Sequence, residues 1–429
     1  MAFCKLFNEI FLYKSCAVTT SPILDSLSSV DTLSKARGTI RAALLISASL
    51  GVHVWLVFLS RVFEDARAFG DLSLYNYWAF QLNQGSPIYG VATEWIYPAL
   101  AIAPIWLPSL FTGMSYELAW LAMVFLINTA VVLAIDSGRR GVKPTGASWF
   151  FMLSIALLGP VAISRIDSIS VAMAIFGILR IASARFGVAA FLFTIAGWIK
   201  IWPVALFLSM IASFRTRTGP LVIAAGTSVT ILLVGFGFGG SAVLSFVGSQ
   251  QDRGLQIESV LATPWMWLAK SGFSKIYFDD DVLTNQVSGP LVTDLASWSN
   301  WFMLLALIIT LGLAARAVHN GQKPNHVFVW ASLAAVAELI AFNKVGSPQF
   351  MLWLAVPLLA GIYLGVSKFK VALASVLVIL LLTQLIYPIF YLDLLALEEV
   401  PLWILTLRNL LLLGLVVVGN LRLAGKQAL

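Results

Sequence analysis

The sequence predicts an all-α polytopic membrane protein, on three observations. Of its 429 residues, 60% are hydrophobic and 11% charged, whereas soluble domains sit near half apolar and a quarter charged. The mean hydropathy is +0.91. The apolar residues also gather in long runs, and a helix needs roughly 20 such residues to cross the hydrocarbon core.

Residues 1–39 come first. They carry Lys5, Lys14, Lys35 and Arg37 with no cleavage site after a short apolar core, so they are expected to form a cytosolic tail with no secretory signal. Cys4 and Cys16 both lie there, which leaves no disulfide framework and no cysteine-based metal site. A single membrane domain is expected over 40–429. Its clear spans are 40–60, 118–135, 148–164, 220–239, 297–315, 326–342, 349–366, 371–391 and 402–420. Apolar chain over 168–213 is cut by Arg180, Arg185 and Lys200 into three shorter helices, which brings the expectation to about twelve spans. The stretch 99–111 is too short to cross and carries Pro104 and Pro108, so it is expected to be re-entrant or interfacial.

Basic residues set the predicted orientation. With the N-terminus inside, Arg139, Arg140, Lys143, Arg185, Arg215, Arg217, Arg316, Lys323, Lys368, Lys370, Arg422 and Lys426 all face the cytoplasm, and the outer side is net acidic. This predicts a multi-pass plasma-membrane protein with both termini cytoplasmic. The same patterning accounts for the net charge of +7 without a nucleic-acid partner. Two long segments fall outside, 61–117 and 240–296. Long loops carry function more often than stability, so the chemistry is expected there.

In the first segment Glu64, Asp65 and Asp71 are followed by Tyr75, Tyr77, Trp78, Tyr89, Trp95 and Tyr97. The plainer reading is a solvated acidic collar. Aromatic rings of this kind prefer the membrane interface, however, and a carboxylate held beside them is partly desolvated. That raises its affinity for a proton and suits it to proton abstraction. Arg165, Lys200, Arg253 and Lys344 are predicted at the outer ends of helices. Converging there, they make an anion site, and a lipid-linked phosphate is the anion found at that depth. A lone Lys200 would instead snorkel to the headgroups.

Other polar residues are read more plainly. Asp279, Asp280 and Asp281 form a solvated acidic run, and His53 is a packed polar residue within the first span. Glu338 and Arg408, inside late spans, are expected to pair with each other or to line a cavity. Histidine and cysteine are too scarce for a zinc site.

Four ordered motifs resemble glycosyltransferase family 87, membrane enzymes of the GT-C type that include polyprenol-phosphate-mannose-dependent actinobacterial mannosyltransferases. The first is Asp71-Leu72-Ser73-Leu74-Tyr75 with Leu82-Asn83-Gln84-Gly85-Ser86-Pro87-Ile88-Tyr89 and Tyr97-Pro98. The others are Trp198-Ile199-Lys200-Ile201-Trp202-Pro203, Arg253-Gly254-Leu255-Gln256-Ile257-Glu258-Ser259, and Asn343-Lys344-Val345-Gly346-Ser347-Pro348-Gln349-Phe350. Ala99 follows Pro98 where the family commonly has a second proline. Arg165-Ile166-Asp167 stands where many members have a Gly-Gln pair.

The resemblance implies a GT-C-type bundle and inverting transfer of a sugar, mannose being favoured, from a polyprenyl-phosphate donor to a glycolipid or lipoglycan acceptor. It implies Asp71 as the catalytic base, with Asp65 behind it. Lys200 and Arg253 are then assigned to the donor phosphate, with Arg165 and Lys344 as further candidates. Tyr75, Glu258 and Gln349 shape the sugar or acceptor pocket. No cofactor is implied, and phosphate leaves well without a metal. The rival expectation is a transporter or lipid flippase, which would place its polar site near the midplane between internal repeats.

Overall fold

The computed structural model describes residues 24–137, 145–248 and 253–425. Cys4, Cys16, the expected tail before Leu24 and the basic residues Arg139, Arg140, Lys143 and Lys426 lie outside them. The principal helices in chain order are α1 (Leu24–Val62), α2 (Gly70–Asn83), α3 (Tyr116–Asp136), α4 (Thr145–Leu158), α5 (Asp167–Ala182), α6 (Phe186–Ile199) and α7 (Val204–Ser213). They continue as α8 (Thr218–Gly239), α9 (Thr263–Lys270), α10 (Val292–His319), α11 (Pro324–Ala341), α12 (Ala355–Tyr363), α13 (Lys370–Gln384) and α14 (Glu399–Ala424).

Among the described residues, seven helices are long and apolar enough to cross a membrane: α1, α3, α8, α10, α11, α13 with its continuation to Ile389, and α14. The remaining expected spans take shorter forms. The run at 148–164 becomes α4 and the single turn Val161–Ser164, interrupted at Gly159-Pro160, where the glycine has φ +86°. The run at 349–366 is a 3-10 stretch, Pro348–Leu354, that continues as α12. The three shorter helices expected over 168–213 are α5, α6 and α7, broken after Ala182 and between Lys200 and Pro203.

Two compact units divide the chain, Met1–Ser47 and Ala48–Leu429. The first is described from Leu24 onward, as helix. Residues 24–39, expected in the tail, are therefore the opening turns of α1.

In the second unit α11 forms the core. Some 83% of its apolar stretch is buried, against 6% for Thr218–Phe238 in α8. The reason lies in side-chain size. Ala331, Ala334, Ala335 and Ala337 let neighbouring backbones approach α11 closely, and Gly419 of α14 lies against Ala334. By contrast α8 turns Val222, Val229, Leu233 and Phe238 outward, a surface suited to lipid.

Buried polar side chains tie these helices together. His53 is buried, with Nδ1 2.8 Å from the Ser49 carbonyl and Nε2 3.1 Å from the Asn128 amide. This is the packed role expected for it. The expected pairing of Glu338 with Arg408 is not found. Glu338 instead meets Thr310 of α10 at 2.6 Å and Asn420 of α14 at 2.9 Å. Arg408 bonds the Asn409 side chain at 2.9 Å and donates to the Glu258 carbonyl. Each late-span charge found neutral polar partners nearer than the opposite charge.

Neither long segment is a plain loop. The first holds α2 and the helical turns over Ala99–Leu110. The second holds α9 and a three-stranded antiparallel sheet of β1 (Leu255–Gln256), β2 (Lys275–Asp279) and β3 (Thr284–Ser288), in the order β1-β3-β2. Asp279 closes the β2–β3 turn by accepting from the backbone N–H groups of Asp281 and Val282. The first member of the acidic run thus has a turn-forming task. Trp267 Nε1 bonds Thr406 at 2.9 Å and Asn409 bonds Thr263 at 2.7 Å, which docks α9 on α14.

Candidate functional site

The breaks in the helices are where the charges collect. Arg165 lies in extended backbone between the turn Val161–Ser164 and α5. Asp167 opens α5, and Lys200 follows α6, also in extended backbone. A residue at a helix end can aim its side chain across the axis, and these three converge from two adjacent breaks.

Asp71, in the first turn of α2, forms an ion pair with Arg165. Asp167 is held twice, by Trp353 Nε1 at 2.8 Å on one oxygen and by Lys200 Nζ at 3.6 Å on the other. The two carboxylates differ in access. The Asp71 side chain is 32% exposed and that of Asp167 only 3%. Burial lowers the proton affinity of Lys200, and Asp167 opposes the shift; Arg165 and Arg253 add to it as like charges. Burial also lowers the proton affinity of Arg165, against Tyr387 and Asp167.

Aromatic side chains wall this cluster. Lys200 Nζ lies 4.8 Å from the Tyr97 ring centroid and 5.4 Å from that of Phe350, in cation–π contact with both. Trp353 stacks on Phe350 at 4.3 Å and on Trp202 at 5.4 Å. Tyr75 is fully buried among Trp78, Tyr97 and Trp120, and its hydroxyl accepts from the Ile166 N–H at 3.3 Å. It thereby fixes the backbone between Arg165 and Asp167. Burial pushes the Tyr75 hydroxyl well up and that of Tyr97 up to about 12, so both stay protonated at neutral pH.

The later motifs join from the side. Ser245 bonds the Trp95 backbone, linking the two long segments. Arg253 is half-buried; burial lowers its proton affinity, and Tyr97 and Asp279 oppose this. The Gln256 N–H donates to the Lys344 carbonyl at 3.0 Å, and the Gly346 N–H donates to Gln256 Oε1 at 3.2 Å. Gly346 sits so close to the Ser259 backbone that a Cβ would collide with it, which is why glycine stands there.

Glu258 is buried beneath this junction. Burial pushes its carboxyl up to about 7, with Arg408 the largest opposing influence. Lys344 and Gln349 are buried too. Asp65 is exposed, in the turn Glu64–Ala66, and makes no ion pair among the described residues.

The structure thus brings Asp71, Arg165 and Lys200 into one cluster, with Arg253 close enough to act on Lys200 electrostatically. It places Tyr75 beneath them and leaves Asp65 outside. Reading the sequence missed Asp167 as a site residue, along with Trp353 and Tyr387. The signal for Asp167 was its place beside Arg165 in an otherwise apolar run, since a carboxylate there requires a cation. Nothing marked Trp353 or Tyr387 out from other aromatic residues of the spans. Chemically, the cluster offers one accessible carboxylate, three basic side chains and an aromatic wall.

No family model, curated protein or solved structure matches this chain.

Proposed function

We propose that the protein is a membrane glycosyltransferase of GT-C type, with about twelve membrane-crossing or partly inserted helices. In this reading it moves a hexose, mannose being favoured by the motifs, from a polyprenyl-phosphate donor to a glycolipid or lipoglycan on the outer face of the plasma membrane. The observation that carries the reading is a partly exposed Asp71 paired with Arg165, beside a buried Lys200 that is held by Asp167 and feels the charge of Arg165 and Arg253.

The chemistry follows from these groups. An acceptor hydroxyl attacks the anomeric carbon while Asp71 takes its proton. The bond from that carbon to the phosphate oxygen breaks, and the electron pair leaves with the polyprenyl phosphate. Lys200 and Arg253 stabilise the departing charge, since cations fixed before the reaction need no reorganisation during it. One displacement inverts the anomeric configuration. Arg165 orients the Asp71 carboxylate through their ion pair, and Asp71 has the exposure that Asp167 lacks. Asp167 and Trp353 hold Lys200 in place.

A transporter is favoured by one observation. The buried charges sit at interruptions between short helices, as transporter binding sites do. A single experiment separates the two readings. Purified protein in lipid nanodiscs is given radiolabelled polyprenyl-phosphate mannose, then glucose and arabinose analogues, with host lipid extract as acceptor. Labelled product of inverted configuration supports the transferase. Translocation of donor across proteoliposomes without product would support the transporter.

A further inference from the structure

Helix α2 has a second working face. Asp71, Tyr75 and Trp78 share the side turned toward the charged cluster, at helical spacing. Asn76, Phe80 and Asn83 repeat the same spacing on another side. There they line a pocket of about 230 Å³ with Ser109, Thr112 and Tyr116 among its further walls. Roughly 300–1,000 Å³ is usual for drug-sized ligands, so this volume suits a single ring.

The lining is chemically distinctive. It contains no charged side chain, and it combines amides and hydroxyls with aromatic rings. One wall is already organised. Trp106 Nε1 donates to Asn83 Oδ1 at 2.7 Å, Asn83 Nδ2 donates to Ser109 Oγ at 3.1 Å, and Ser109 Oγ donates to the Trp106 carbonyl at 2.7 Å. Asn76 and Thr112 make no side-chain hydrogen bond among the described residues, and both are exposed. A neutral sugar matches such a wall, because its hydroxyls need donors and acceptors together and its C–H face packs on an aromatic ring. An anionic headgroup finds no cation here.

We infer that this pocket binds one neutral hexose unit of the acceptor glycan, seated on Phe80 and hydrogen-bonded by Asn76 and Thr112. The identification as acceptor rests on the transferase reading; the sugar site itself does not. At 1.5 Å of rise per residue, Asn76 to Asn83 lies about 7–18 Å beyond Asp71 along the axis. The bound unit is therefore not the one being extended, and α2 holds the two at a fixed separation.

The test titrates mannotriose and maltotriose into the purified full chain, followed by saturation-transfer NMR. Saturable binding of at least one is expected, weakened tenfold or more by Asn76→Ala and by Phe80→Ala and unchanged by Asp71→Asn. Both pocket residues are exposed, so the variants should keep wild-type helicity and melting temperature. No saturable binding of either sugar, equal binding by both pocket variants, or displacement of the sugar by glycerophosphocholine would overturn the site. Binding that meets the expectation, with no transfer from any polyprenyl-phosphate sugar, would keep the site and remove the transferase.

Discussion

Two sets of charged side chains are buried in this bundle, and they are satisfied in opposite ways. At the helix breaks Asp71, Arg165, Asp167 and Lys200 meet charge against charge, with Asp71 partly open. Within the spans Glu338 is held by Thr310 and Asn420, and Arg408 by an amide and a backbone carbonyl. Glu338 and Arg408 are almost wholly inaccessible. Neutral partners lock a charge into place for the life of the fold. Charged partners near an opening can exchange with an incoming ion, because the ligand offers what the partner offered. In the proposed reading the first set is organised for substrate, whereas the second joins helices within the spans.

The largest effect should come from Asp71→Asn, which removes the proposed base and keeps the volume. Transfer should fall roughly 10²–10⁴-fold, the usual contribution of general base catalysis, with donor affinity near wild type. Stopped transfer assays with donor titration measure both. Next is Lys200. Lys200→Ala strands the buried Asp167, and leaving one partner of a buried pair costs about 3–5 kcal/mol of stability. The double variant Lys200→Met with Asp167→Asn should regain the lost melting temperature but not donor binding. Recovery of binding along with stability would show that Lys200 has no part in holding the phosphate.

The contrast sharpens at Glu338. Glu338→Leu should lower stability by about 1–3 kcal/mol, the cost of unpaired buried polar groups at Thr310 and Asn420. Turnover per folded molecule should be unchanged. A fall in turnover there would break the division between the two sets.

An effect that depends on pH is expected at Glu258. Its carboxyl is raised from 4.5 to about 7 by burial. The folded chain holds a proton that the unfolded chain releases, so this contribution to stability is full below 4.5 and is lost as pH rises through 7. Denaturation across pH 4.5–8 should show a shallower loss in Glu258→Gln than in wild type. Parallel curves would mean that the Glu258 carboxyl does not titrate in this window.

Much of this arrangement was legible in the sequence, for physical reasons. Apolar runs declare lipid-compatible helices because hydrocarbon offers the backbone no partner. Isolated cations such as Arg165 and Lys200 stand out against such runs. Other features were hidden by the same uniformity. Helix α2 lies in a stretch whose polar residues read as loop, although Tyr75, Trp78 and Ala79 give it a buried face. Asn420 and Thr310 pass for ordinary span residues until three helices bring them to Glu338. One partner of Arg408 comes from 150 positions away, at Glu258, a contact that local pattern does not encode.

The most direct test of the charged cluster is single-turnover transfer with labelled polyprenyl-phosphate mannose already bound, comparing wild type with Asp71→Asn and Asp167→Asn. The account predicts full donor occupancy without transfer in Asp71→Asn, and reduced occupancy with residual transfer in Asp167→Asn. Transfer by Asp71→Asn at the wild-type rate would contradict it.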